Sequence, residues 1–398
     1  MARPATAAGE EVPPGFGVYV HVPFCASRCD YCAFATWSGK HHLASAYVDA
    51  CITEYRRAAD AGLEEAHTIF LGGGTPSQLR DEDLVRLVSV INRRPEAEIT
   101  VEANPEDVTP EWLESCLAAG VNRISLGVQS LDPTVLVGLG RRHDPAAVTT
   151  ASAAIGTAGI ARYSVDLIYG GAGETDESWL RTLQAVLSLE PRPGHVSAYA
   201  LTVEPGTPLW GDADRHPDDD IQATRYAMAD EVLSAAGLSW YEISNWSLPG
   251  HECRHNMNYW LQGDYRGIGC AAHSHRAGHR WWNLRTPERY IDAVGQVRST
   301  VAVSETLPDP ERTLESLQLL LRTRHGVPTK ALSSALAGTP ELRRLVRVDA
   351  STGRATLTLD GRLLANEVCH RLDSNGLKVT DIRAPALASN PWPNRSSG

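Results

Sequence analysis

Residues 17–34 read GVYVHVPFCASRCDYCAF, and this stretch decides what kind of molecule the 398 residues form. Gly17 to Phe24 is rich in β-branched and aromatic residues, the composition of a strand. It runs directly into Cys25, Cys29 and Cys32, three cysteines within eight residues. In a reducing compartment such crowding points to metal or redox chemistry rather than to disulfides. Two sites compete on these residues. A zinc ion would want a fourth ligand, which His21 on the preceding strand could supply, although structural zinc sites favour cysteine pairs set far apart. Three thiolates in one short loop can instead wrap one face of a 4Fe-4S cubane and leave open the iron that a fourth cysteine would close. The other five cysteines, at 51, 116, 253, 270 and 369, are scattered and read as small buried apolar side chains.

Outward from this loop the chain alternates strand and helix. After Gly17–Phe24 come strands at 67–71 (HTIFL), 98–103 (EITVEA), 123–129 (RISLGVQ), 162–169 (RYSVDLIY) and 195–201 (HVSAYAL). Helical periodicity lies between them at 44–61, 81–94, 110–119, in segments up to 158, at 177–189 and at 218–236. Six strands, each followed by a helix, mean βαβ units and a parallel sheet, either open and doubly wound or curled into a barrel. After Gly237 the character changes. One further strand is expected at 239–246, and 250–283 is rich in His, Gly, Asn and aromatics. A helix at 309–325, a strand at 354–359 and a helix at 361–372 make a small mixed α/β domain.

Acidic residues outnumber basic ones by 48 to 37, a net charge of −11, which argues against a general nucleic-acid binder. The 42% hydrophobic content excludes global disorder. No basic stretch followed by an apolar run opens the chain, and no run of 18 apolar residues occurs, so neither a signal peptide nor a membrane-spanning helix is expected. A cytoplasmic protein follows, with peripheral membrane contact left open.

The cysteine loop, with Tyr31 just before its last thiol, resembles that of the radical S-adenosylmethionine (SAM) superfamily, in its coproporphyrinogen dehydrogenase-like branch. So do LGGGTPS (71–77), VEANP (101–105), ISLGVQS (124–130), VDLIYG (165–170) and YALTVEPGT (199–207). The resemblance implies a partial (β/α)6 barrel. It implies that Cys25, Cys29 and Cys32 hold a 4Fe-4S cluster whose open iron is chelated by SAM. Gly73, Gly74 and Thr75 would meet the amino-acid end of SAM; Glu102, Gln129, Arg141 and Asp166 would line the rest, with Tyr19, Tyr31 and Ala200 in support. The loop Gly170-Gly171-Ala172-Gly173 departs from the family's usual Gly-Leu-Pro-Gly.

A second departure bears on the reaction. Coproporphyrinogen dehydrogenases carry a further cysteine two residues after the third, and here that position is Phe34. The segment His255-Asn256-Met257-Asn258-Tyr259-Trp260, followed by GDYRGIGCAAHS (263–274) and RWWN (280–283), is similar instead to the heme-chaperone members of the branch. There an HNxxYW motif is associated with heme. A neutral imidazole is a common axial ligand of heme iron, and two large aromatics offer flat apolar surface. His255, with Tyr259 and Trp260 beside it, is therefore expected at the heme, with His251, His273 and His275 as competitors; the bland alternative is a core loop. The resemblance implies a chaperone that passes heme to an acceptor protein. The alternative is an oxidoreductase of the coproporphyrinogen dehydrogenase type, or a related methyltransferase. The expected layout is a disordered tail at 1–15, the barrel at 16–250, a connecting segment with HNMNYW at 251–300, a winged-helix-like C-terminal domain at 301–383, and a disordered tail at 384–398.

Overall fold

The computed structural model describes residues 15–141 and 143–382. The tails expected at 1–15 and 384–398 lie outside these residues apart from Gly15. Among the described residues the chain divides into two compact units, one formed by 16–255 and 264–306, the other by 256–263 and 307–382.

The first unit is built on one twelve-stranded sheet. Its centre is six parallel strands in chain order: β1 (Gly17–Val22), β2 (Ala66–Gly73), β3 (Arg93–Ala103), β4 (Arg123–Gln129), β5 (Arg162–Tyr169) and β6 (His195–Ala200). The helices between and after them include Ala44–Asp60, Asp81–Ser89, Pro110–Ala119, Pro145–Thr157, Asp176–Leu187 and Asp219–Ala235. Local chemistry sets their ends. Thr109 accepts the Trp112 N–H ahead of Pro110, Gly120 closes that helix in the left-handed region (φ 87°), and Thr175 and Ser178 form a reciprocal capping box. The helix read at 81–94 stops at Ser89, because the chain turns there: Tyr55 accepts the Asn92 N–H and β3 begins at Arg93.

Both flanks of the parallel core end in antiparallel strands. Beyond β6 stands a hairpin of β7 (Ser239–Glu242) and β8 (Asn245–Ser247), where the sequence suggests one strand; Glu242 accepts the Ser244 N–H and sharpens the turn. Beyond β1 lie β9 (Tyr265–Ile268), parallel to it, and then β10 (His273–Arg276), β11 (His279–Asn283) and β12 (Val301–Thr306). The segment expected to be a connection thus supplies three strands of the sheet, together with helices at Arg254–Trp260 and Pro287–Gly295. The strand order begins at β12 and ends at β7, so the sheet does not close, and the fold is a partial (β/α)6 barrel with extended edges.

Alternation along the strands separates two faces. Val18, Val20, Val22, Ile69, Leu71, Val101, Ile124, Leu126, Val165 and Leu167 form a fully buried apolar layer. Parallel strands covered by helices usually read as apolar on both faces. Here the other, inner face carries Thr68, Thr100, Arg123, Ser125, Ser164 and Ser197, all buried. So much hydrogen-bonding capacity inside a sheet marks the inner face as the place for chemistry.

In the second unit, β13 (Val327–Pro328), β14 (Val346–Asp349) and β15 (Arg354–Leu357) form an antiparallel sheet in the order β13-β15-β14. The helix Asp309–Leu321 buries Leu317, Leu320 and Leu321. The helix read at 361–372 is two short pieces, Leu359–Leu363 and Ala365–Cys369. This is a small winged-helix-like α/β domain. Among the described residues, no helix is long and apolar enough to cross a membrane.

Candidate functional site

The carboxyl ends of β1 and β2 are stitched together around the cysteine loop. The Gly74 N–H donates to the Val22 carbonyl (2.7 Å) and the Thr75 N–H to that of Phe24 (2.8 Å). A Cβ on Gly74 would sit 2.6 Å from the Val22 oxygen and 3.1 Å from the Cys25 sulfur. Gly73 has φ +106°, and a Cβ there would fall 2.3 Å from Nδ1 of His21. Only glycine meets both demands. The loop is pinned at several points: Cys25 N–H to Trp37 O, Asp30 N–H to Leu139 O, Leu209 N–H to Asp30 O, and an Arg215–Asp30 ion pair at 2.8 Å. Cys32 N–H turns back to Cys29 O, and the Arg28 guanidinium grips the Cys32 carbonyl at 3.0 and 3.2 Å.

Cys25, Cys29 and Cys32 are partly exposed and carry no disulfide, whereas Cys51, Cys116, Cys253, Cys270 and Cys369 are buried as expected of small core residues. Thr75 Oγ1 lies 3.5 Å from the Cys25 sulfur and Arg141 Nη1 3.6 Å from that of Cys29. Burial pushes the Cys25 and Cys32 thiols up, so a bound cation is what would hold them as thiolates. Among the described residues no three His, Cys, Asp or Glu side chains converge on a single ion. A cubane presents a separate iron to each thiolate, so three thiols on one pinned loop suit it.

The inner face brings the other expected residues to this loop. Glu102, near the end of β3, accepts the Gly73 N–H at 3.1 Å. Burial, and then the charge of Asp166, push its carboxyl up to about 8. Asp166 accepts from Ser125 (2.8 Å) and Ser197 (2.7 Å), and burial raises it too, against the pull of these bonds and Arg123. Arg141 is held by the Asn104 side chain (2.8 Å) and the Gly127 carbonyl (2.9 Å). Gln129 sits at an irregularity in the β4–β5 register with φ +65°, uncommon for a residue with a side chain. A Cβ added to Gly127 would lie 3.1 Å from the Gln129 side-chain nitrogen and 3.7 Å from Arg141. Bulges that re-aim a side chain recur beside active sites. Tyr19 lies 3.1 Å from Nδ1 of His21. Tyr31 packs against the buried cluster of Val135, Leu139, Ile168, Leu201 and Leu209. Ala200 ends β6, exposed. Two acids that burial drives toward protonation, beside an ordered guanidinium, suit a ligand carrying both a positive charge and a carboxylate.

Sequence reading missed Asn104, Ser125 and Ser197. The period-two pattern of RISLGVQ and HVSAYA places both serines on the polar face and could have found them.

The HNMNYW segment is arranged otherwise. His255 opens the short helix Arg254–Trp260 and lies in the first unit, 1% exposed. Its Nδ1 is 2.8 Å from the Thr68 hydroxyl, its N–H donates to Glu98 (3.1 Å), and its ring stacks on Phe70 at 5.3 Å. Burial pushes the imidazole down to about 3, so it is neutral at ordinary pH. Tyr259 and Trp260 are partly buried residues of the second unit.

Comparison with known proteins now identifies the class. The family model of the Radical SAM superfamily matches residues 19–186, from β1 past β5. The solved structure of the coproporphyrinogen III oxidase HemN of Escherichia coli, described as a radical SAM enzyme, superposes with a TM-score of 0.78 over 92% of this chain and 91% of that one, at 22% identity. The heme chaperone HemW of Mycobacterium tuberculosis is 39% identical over 376 residues, 90% of this chain and 94% of the relative. That of Bacillus subtilis is 32% identical over 369 residues, 88% and 97% of the two chains. The chain belongs to the HemW family of heme chaperones.

Proposed function

We propose that the protein binds heme and passes it to an acceptor protein, and that its barrel carries a 4Fe-4S cluster on Cys25, Cys29 and Cys32 with SAM at the open iron. The observation that carries the barrel site is the apposition of the cysteine loop with the Gly72–Thr75 turn, Thr75 on Cys25 and Glu102 on Gly73. The heme reading is supported by the family and by the HNMNYW segment. When bound, the cluster would supply one electron to the sulfonium of SAM. Gly73, Gly74 and Thr75 would receive the amino-acid end of SAM and Arg141 its carboxylate. Glu102, Asp166 and Gln129 would face its charged and polar groups, with Tyr19, Tyr31 and Ala200 at the margins. His255, Tyr259 and Trp260 form the heme motif by resemblance. His255 is neutral, as an iron ligand must be, and its ligation would require the start of the helix Arg254–Trp260 to open. Unpaired cysteines and a cluster that survives only under reduction are in keeping with the cytoplasm.

Phe34, 67% exposed, stands where the oxidase branch is expected to use a cysteine. The test follows from it. Anaerobically reconstituted protein, given SAM, a reductant and coproporphyrinogen, should form no decarboxylated porphyrinogen, while the same sample takes up hemin. Stoichiometric turnover of coproporphyrinogen would assign the oxidase activity instead.

A further inference from the structure

We propose that the heme is seated on the inner face of the sheet where β9 to β12 extend it past β1, and that His273 supplies the axial nitrogen to its iron. The proposal rests on the heme reading above and puts His273 in the ligand's place in preference to His255, which is buried and bonded to Thr68.

The register builds the seat. Phe70 pairs with Tyr19, and Tyr19 with Gly267. His275 pairs with Tyr265 in the antiparallel β9–β10 contact, and two residues before it the His273 backbone folds over Gly267. His273 pairs with Trp282, and Trp282 with Val303. Phe70, Tyr19 and Gly267 form one row across β2, β1 and β9, and His273, Trp282 and Val303 form a second across β10, β11 and β12, brought beside the first where His273 covers Gly267. Strand side chains stand roughly perpendicular to the sheet, so the rows present ring edges and tips rather than buried flanks.

Three features suit a flat macrocycle with a central metal. First, Gly267 lets the start of β10 fold directly onto the sheet, so that His273 is carried over β9. A Cβ there would lie 2.1 Å from the His273 carbonyl oxygen, so only glycine permits this approach. Second, the imidazole carried by this fold is accessible and held. Of His251, His255, His273 and His275, His273 is the exposed one. Its ring stacks on Trp282 at 5.3 Å, with 20° between the planes. Third, the far end of the second row is apolar yet open to water. Val303 is 49% exposed and Val301, on the same strand, 37%. Exposed branched residues on an edge strand are a liability unless something covers them, and a macrocycle lying there would bury them.

The charge pattern also fits. Arg280 faces the same side as Trp282 and pairs with the exposed Glu305 at 2.8 Å. After burial, its charge is the next cause holding the His273 imidazole down. It is placed to share its guanidinium with a carboxylate of the macrocycle. The first row also adjoins the barrel site, since Tyr19 bonds His21 and His21 packs against Gly73.

The test is a hemin titration of the full-length, cluster-loaded protein and of its His273→Gly and Trp282→Ala variants, read at the Soret band with circular dichroism as the check on folding. The wild type should bind one heme per chain. His273→Gly, an exposed position, should bind about tenfold or more weakly with a shifted Soret band, and added imidazole should restore the wild-type band. Trp282→Ala should weaken binding and broaden the band. An unchanged Soret position and affinity in His273→Gly, with wild-type uptake intact, would overturn the seat and leave the heme reading standing. A wild type that takes up no hemin would overturn both.

Discussion

Replacing Glu102 by glutamine tests the electrostatics of the barrel site most sharply. The carboxyl is pushed up to about 8, by burial first and by Asp166 second, while the Gly73 N–H pulls the other way. A cluster on the three cysteines would add negative charge and act in the same direction as Asp166. A cationic ligand favours the ionised carboxylate, so binding expels a proton, and affinity must rise with pH up to the folded pKa. At pH 7 a group with a pKa near 8 is ionised in roughly one molecule in ten, so the apparent affinity for SAM lies about tenfold below its alkaline limit. Wild-type affinity should thus climb about tenfold from pH 6 to pH 7, by somewhat less from pH 7 to pH 8, and level off above pH 9. In Glu102→Gln the carboxylate is absent at every pH. The variant should bind about 10- to 100-fold more weakly at pH 9, the worth of a charge-assisted hydrogen bond. At pH 6, where the wild-type carboxyl is protonated and resembles the amide, the gap should nearly close. The assay is SAM titration of reconstituted protein from pH 6 to pH 9. The amino group of SAM titrates identically in both samples, so the difference between the curves isolates Glu102. Parallel curves across the range would refute the placement of Glu102 against the positive charge of SAM.

Further outcomes follow from the same geometry. Serine at Cys25, Cys29 or Cys32 should abolish the brown chromophore of reconstituted protein, whereas serine at Cys51 or Cys116 should leave it; a chromophore equally dependent on the buried cysteines would contradict the assignment. Gly73→Ala places a methyl 2.3 Å from His21 at a φ of +106°, and should lose about 1–3 kcal/mol in urea unfolding together with SAM affinity; wild-type values for both would show that the turn tolerates a side chain. His21 and His255 are held neutral by burial, at about 4 and about 3. The unfolded chain binds more protons than the folded one below about pH 6.5. Their stabilising contribution is therefore complete above that pH and lost as the pH falls toward 4, so the urea midpoint should drop steeply between pH 7 and pH 5 and would refute their burial if it stayed level.

Much of this was legible because its causes are local. The helix Pro110–Ala119 and the strands β4 and β5 have in the structure the limits read from sequence, since Thr109, Pro110 and Gly120 punctuate the chain where it turns. The cysteine spacing placed the loop, and the strand-end positions of Glu102 and Asp166 placed the acids. What escaped depends on distant partners. β9 to β11 are short strands in a Gly- and His-rich segment; β9 is a strand because β1, far earlier in the chain, offers it an edge, and β10 and β11 build on from it. The sequence around His255 shows an imidazole among aromatics and nothing of what holds it. The hydroxyl that binds it belongs to Thr68, 187 residues away, and no pattern near 255 announces that contact.

The central claim, that this barrel carries heme for another protein, is tested most directly by a transfer experiment. Reconstituted protein is loaded with hemin, freed of excess by gel filtration, and mixed with an apo-hemoprotein acceptor held behind a second chromatographic step. Pyridine hemochrome analysis of each fraction then counts where the heme has gone. The account predicts one heme per chain after loading and its appearance in the acceptor fraction, with the cluster iron and sulfide remaining on the donor. Protein that retains its cluster but emerges from gel filtration without heme, or that holds heme and never yields it, would contradict it.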